Sequence, residues 1–257
     1  MTAKVTVGDI YGFINEIAPF SLQQGYDNSG ICAGSRKSPV SRVLTALDIT
    51  GAVVEEAAEK GCELVLSHHP VIFRPLRTLS PENPAVKLAV RGIAAICMHT
   101  NFDSAEGGMN DILAAKLGLT VTEPLDIDDG KPVGYICRAG REYTPRELAE
   151  HCKTVLGCRA VRFTDCGGSI GLIGLCSGSG GSCLGAAQAK GCGALITGDV
   201  KHSDFVYAFD SGFCLIDAGH YYTENIFHED IARRLKERFP SLEVIAAESF
   251  TDPAEVI

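Results

Sequence analysis

Apolar residues recur at helical spacing near the start of the chain. Ile10, Phe13, Ile14 and Ile17 share one face, and Pro19 closes the run, so an amphipathic helix is predicted there. The stretch QQGYDNSGICAGS that follows is dense in turn formers and reads as a loop. RVLTALDI (Arg42 to Ile49) is an apolar run of strand length. Thr50 is placed to cap the next helix, GAVVEEAAEKG, which should end near Gly61. A second short strand, ELVL (Glu63 to Leu66), runs into the motif SHHP. NPAVKLAVRG then reads as helix, IAAICM (Ile93 to Met98) as strand and GMNDILAAKLGL as helix. Alternating strand and helix is the pattern of an α/β sheet containing parallel pairs.

LDIDDGKP (Leu125 to Pro132) is acidic and then carries Gly and Pro, which predicts a connection. Beyond it come a strand, VGYICR, and a helix with Thr144 as cap and Pro145 at its first position. CRAVRFT and SIGLIGLCS read as further strands. The pattern then recurs. LTALDITGAVVEEAAEKGCELVLSHHP matches IGLCSGSGGSCLGAAQAKGCGALITGDV in its order of strand, turn, helix, KGC, strand and polar motif. RGIAAICMHTNFD likewise matches SGFCLIDAGHYYTE. We therefore expect an internal duplication: two similar α/β lobes with mixed sheets flanked by helices, residues 1–128 and 129–257, related by a rough twofold with the site in the crevice between them.

Composition narrows the function. Hydrophobic residues make up 46% and charged residues 21%, enough apolar surface for a sizeable core. The net charge of -9 argues against a nucleic-acid or anionic-membrane surface as main partner. A small anionic substrate remains compatible, because a bound cation reverses the local field. The opening MTAKVTVGDI lacks an apolar signal core, and no stretch approaches the ~18 to 20 apolar residues of a membrane span. Eleven cysteines, odd in number and without a CxxC pair, fit free, buried thiols in a reducing cytoplasm.

The chemistry gathers where strands end, the usual ligand edge of an open α/β sheet. Four such ends carry Ser67, His68 and His69; His99, Asn101 and Asp103; Asp199 and His202; and Asp217, His220 and Glu224. Five of the seven histidines are among them; His151 and His228 fall in predicted helices and are expected on the surface. A lone strand-end histidine is ordinarily a satisfied structural group, but imidazoles and carboxylates collected together are the donors of zinc, iron, manganese, cobalt or nickel. Adjacent His68 and His69 cannot face the same way on a strand. At a strand end held by Pro70 they can splay, one toward each of two ions about 3.5 to 4 Å apart. His99, Asn101 and His202 are candidate catalytic residues, as proton carriers or substrate contacts, with Asp199 and Asp27 as further polar groups. GSGGS (Gly178 to Ser182) reads as a tight turn in preference to an anion cradle.

SHHP, HTNFDSAEGGMND, GSGGS, ITGDVKHSD and DAGHYYTE, in this order, closely resemble the dinuclear-metal-centre family, whose members are named GTP cyclohydrolase 1 type 2 homologues or Nif-three-like proteins. PFSLQQGYDNSGICAG is similar to its N-terminal motif, with Tyr26 where the family usually has Trp. The resemblance spans nearly the whole chain. It implies the Nif-three-like fold and two divalent ions per chain, held by His68, His69, Asp103, His220 and Glu224. Glu224 would bridge the ions, with His69 and Asp103 on one and His68 and His220 on the other. It also implies a ring-shaped homohexamer and a metal-dependent hydrolase acting on a nucleotide or phosphorylated small molecule. A metal-binding assembly or chaperone protein without turnover, and a two-metal phosphoesterase, are the alternatives.

Overall fold

The computed structural model describes residues 4–257; Met1, Thr2 and Ala3, where the expected leaderless opening begins, lie outside the described residues. In chain order the elements are α1 (Val7–Ile17), β1 (Gly30–Ala33), β2 (Arg42–Ala46), α2 (Gly51–Glu59), β3 (Leu64–Ser67), α3 (Pro84–Arg91), β4 (Ala94–Cys97) and α4 (Thr100–Ser104). There follow α5 (Met109–Lys116), β5 (Leu119–Asp128), β6 (Lys131–Tyr143), α6 (Pro145–Leu156), β7 (Arg162–Phe163), β8 (Ile170–Leu175), α7 (Leu184–Ala189) and β9 (Ala194–Thr197). The last are α8 (His202–Asp210), β10 (Cys214–Asp217), α9 (His220–Glu224), α10 (Phe227–Arg238) and β11 (Glu243–Ala246).

The chain forms two compact units. The first comprises the chain up to Ala105 together with Phe227–Pro253; the second comprises Glu106–Ile226 and Ala254–Ile257. The expected break after residue 128 instead lies inside the second unit, at the turn of the β5–β6 hairpin, and the chain changes units after Ala105. Asp129 and Gly130, both at positive φ (48° and 74°), form that turn. LDIDDGKP is thus the tip of a long hairpin, not a linker. Its acidic composition reflects an exposed strand end, since Asp126, Ile127 and Asp128 are all exposed. Two strands were not expected: β1, in a stretch dense in turn formers, and β11.

In the first unit the sheet order is β1-β4-β3-β2-β11, with β4, β3, β2 and β11 parallel and β1 antiparallel at the edge. Leu44, Ala46, Val65 and Ala95 face Val53, Val54 and Ala57 of α2 and Leu88 of α3 in one core cluster. Thr50 caps α2 through its side chain, as the sequence predicts; α3 is capped by the Asn83 side chain and opened by Pro84. The carboxylate of Glu56 on α2 accepts from the amides of Glu248 and Ser249 and pairs with Lys60. Burial pushes its pKa up, but these partners outweigh that and hold it at about 2.

In the second unit the order is β5-β6-β8-β9-β10-β7. The parallel trio β8-β9-β10 repeats β2-β3-β4, and β7 lies antiparallel on β10 as β1 lies on β4. Strand order and direction thus match across the repeat, as duplication requires; the units diverge at the opposite edge, where β11 is parallel and β6 antiparallel. Strand alternation serves two cores. Ala194, Ile196, Cys214 and Ile216 face the cluster of α5 and α6, whereas Leu195 and Leu215 face that of α7 and α8. All eleven cysteines are free thiols, and all but Cys32 and Cys166 are buried. No helix among the described residues is long and apolar enough to cross a membrane.

Neither histidine expected on the surface is simply solvated. Nε2 of His151 lies 2.8 Å from the Leu117 carbonyl. His228 is half-buried on α10, its Nδ1 3.1 Å from Thr45 Oγ1, and burial pushes its pKa down to about 4. Between pH ~4 and ~6.5 the unfolded chain binds a proton there that the folded chain refuses, so this histidine makes stability fall as pH drops through that window and contributes nothing above it. The integrated loss is at most about 3 kcal/mol. Urea midpoints at pH 7, 5.5 and 4.5 should show it, and His228→Gln should flatten the dependence. Equal pH slopes in the two proteins would rule the assignment out.

Candidate metal centre

SHHP leaves β3 with its pairing to β2 continued: the amide of His68 donates to Ala46 O and that of His69 to Leu47 O. Ser67 Oγ then donates to His69 O at 2.7 Å and fixes the turn. The two side chains diverge. His68 is wholly buried beside Phe227, with ring centroids 5.9 Å apart, whereas His69 keeps a side-chain exposure of 20%.

Each imidazole is held by one nitrogen. Nδ1 of His68 lies 2.9 Å from Met98 O, Nδ1 of His69 2.9 Å from Asp48 Oδ1, and Nδ1 of His99 2.8 Å from Asp27 Oδ1. An Nδ1–H donated to an oxygen fixes the neutral tautomer and leaves Nε2 as the electron-pair donor, the arrangement that orients histidine ligands. The three rings form a near-regular triangle, with centroids 5.0, 5.3 and 5.4 Å apart. Asp103, on α4, brings Oδ1 to 3.6 Å from Nε2 of His68. The Asp27 carboxylate also accepts from the amide and hydroxyl of Thr100 and from Ser29 Oγ. Burial pushes its pKa up, but the His99, Thr100 and Ser29 hydrogen bonds outweigh that and hold it well below the usual carboxylate range.

The second unit carries its own donors. His220 begins α9 and Glu224 ends it, and the i, i+4 spacing puts His220 Nε2 2.9 Å from Glu224 Oε2. Nδ1 of His220 is held 2.8 Å from Asp199 Oδ2. Asp199 adopts φ +51°, a left-handed conformation that costs a non-glycine residue energy and marks a constrained site. The Glu224 side chain is 5% exposed. GSGGS is a turn: the amides of Gly178 and Gly180 donate to Thr223 Oγ1 and Thr197 Oγ1, so neither is left for an anion. Gly178 has φ +62°, and a Cβ there would collide with the Glu224 carboxylate and come within 3.2 Å of His220 Nε2. Its role is to give these two ligand-type side chains room.

His68, His69 and His99 offer nitrogens clustered tightly enough to hold a metal ion. The donor set fits the implied metals: anchored neutral imidazoles and carboxylates suit zinc and similar divalent ions. Asp48 was missed in the sequence, although it sits just beyond β2 at the same kind of strand end as the named residues. The other candidates are placed differently. Asn101 is wholly buried, its amide donating to Ala18 O at 2.8 Å. His202 is exposed at the start of α8. Asp217 accepts from Arg162 and from the amides of Val200 and Gly219, a structural role.

A mixed-sheet α/β chain with strand-end clusters of histidine and carboxylate is a candidate metalloprotein. The chain belongs to the Duf34/NIF3 (NGG1p interacting factor 3) family, whose model matches residues 5–253. A Clostridium perfringens protein named GTP cyclohydrolase 1 type 2 homolog is 32% identical over 260 residues, covering 98% of this chain and 99% of its own. A Helicobacter pylori protein named GTP cyclohydrolase 1 type 2 is 33% identical over 258 residues, with 98% and 99% covered. Among solved structures, a Staphylococcus aureus hypothetical protein superposes with a TM-score of 0.92 at 27% identity, over 99% of this chain and 100% of its own.

Proposed function

We propose that this protein is a dinuclear metalloenzyme in which His68, His69, Asp103, His220 and Glu224 hold two divalent ions, and that it hydrolyses a nucleotide. The observation that carries the metal reading is that every one of these histidines, and His99 with them, is oriented through Nδ1 by an oxygen acceptor. When bound, the ions would supply Lewis acidity toward the bond under attack and the attacking water. The chain's own part is to fix the imidazoles through Asp48, Asp199 and Met98 O, and to keep Asp27 ionised behind His99, which can then carry a proton. The names of the relatives support a guanine nucleotide as substrate, with loss of C8 as formate. A ring-shaped homohexamer in the cytoplasm belongs to the same reading.

A second reading is a metal-binding assembly or chaperone protein without turnover. It is favoured by Asn101, which is committed to Ala18, and by exposed His202, since both were candidates for catalytic work. Protein prepared with one defined ion at a time should be incubated with nucleotides and phosphoesters, and products read by mass spectrometry. Formate from GTP supports the cyclohydrolase, inorganic phosphate the phosphoesterase, and no product with any ion the binding protein.

A further inference from the structure

Two cysteines outside the proposed ligand set lie sulfur to sulfur. Cys32 Sγ and Cys97 Sγ are 3.6 Å apart although 65 residues separate them in the chain. The register explains the meeting. Gly30 pairs with Cys97 and Ile31 with Ile96, but Ala33 pairs with Ala95, so Cys32 is the extra residue of a β-bulge on the edge strand β1. The environments are unequal. Cys97 is wholly buried, whereas Cys32 is partly exposed. The hydrogen bond with Cys97 also lowers the Cys32 thiol's pKa. A reachable, acidified thiol beside a buried second thiol is the arrangement of a peroxide-sensing cysteine and its resolving partner.

We propose that Cys32 and Cys97 form a modification site, closing to a reversible disulfide under hydroperoxide, with Cys32 oxidised first and Cys97 resolving it. The Cys32 thiolate attacks one peroxide oxygen; the O–O bond breaks, leaving Cys32 sulfenic acid and hydroxide. The Cys97 sulfur then attacks the Cys32 sulfur; the S–S bond forms, the S–O bond breaks, and the hydroxyl leaves as water. In sum two thiols lose two electrons and two protons, and hydrogen peroxide becomes two waters. The bridge would join the bulge of β1 to the strand that leads into His99. Cys176 and Cys183, also in contact, provide an internal comparison: both are buried, so oxidant should reach them later.

The test uses the full chain, reduced, desalted and treated with hydrogen peroxide, then acid-quenched, denatured, alkylated and digested without reductant. The expected result is one peptide pair joined through Cys32 and Cys97, a mass loss of about 2 Da for one bridge, and reversal by dithiothreitol. Cys97→Ser should instead accumulate a dimedone adduct on Cys32, and Cys32→Ser should form no bridge to Cys97. The proposal is overturned if Cys32 and Cys97 are both alkylated in wild-type protein after exposed Cys166 has oxidised. It is equally overturned if Cys176–Cys183 bridges first, or if dimedone marks Cys97 and not Cys32 in the wild type. Circular dichroism checks the variants' folding, and the wild-type outcomes stand without them.

Discussion

Glu224→Gln is expected to leave the chain folded and to strip its metal. A carboxylate can offer an oxygen to each of two cations, whereas a neutral imidazole has one lone pair to give. Among the proposed ligands only Asp103 and Glu224 can serve both ions, and Glu224 is the more enclosed, with side-chain exposures of 5% against 25%. Glutamine keeps the shape and removes the charge that offsets two dications. The affinity loss should exceed the roughly 100-fold upper range seen for residues that only orient ligands. His68→Ala should weaken mainly one ion. The fold should survive, because the apolar clusters of each unit are built from other residues. Elemental analysis after dialysis, for wild type and both variants, reads the result. Wild-type occupancy in Glu224→Gln would transfer the shared role to Asp103.

Gly198→Ala should cost stability even without metal. A Cβ on Gly198 would collide with the backbone nitrogen of His220 and lie 2.6 Å from Gly219 C and 2.8 Å from Gly178 O. All three are main-chain atoms, so no side-chain rotation relieves the contact. Overpacking of this kind costs about 3 kcal/mol, which lowers the melting temperature of a chain this size by roughly 6 to 12 °C. Gly178→Ala makes the informative contrast. Its φ of +62° makes alanine cost some stability there too, but its Cβ also meets the Glu224 carboxylate, so it should lose metal retention in addition. Thermal unfolding by circular dichroism, with and without added divalent ion, separates the two. A Gly198→Ala melting temperature within about 2 °C of wild type would contradict the close backbone approach.

The sequence by itself determined the elements whose signals are local. The apolar periodicity of α1, the caps at Thr50 and Thr144, and the repeated strand–helix–KGC–strand order each depend on neighbours a few residues away. It also placed the donor residues at strand ends, because SHHP, HTNFD and GHYYTE each follow an apolar run. What it could not show is which distant groups those residues would meet. Asp27, Asp48 and Asp199 became histidine anchors, and Cys32 a neighbour of Cys97, only once sheet order brought separate loops together. The division into units was tertiary for the same reason. Phe227–Pro253 joins the first unit because β11 pairs with β2, and strand pairing across about 200 residues leaves no trace in a local pattern. Burial likewise turned His228 from an expected surface group into one that resists protonation, since a helix's own sequence does not say which strand will cover it.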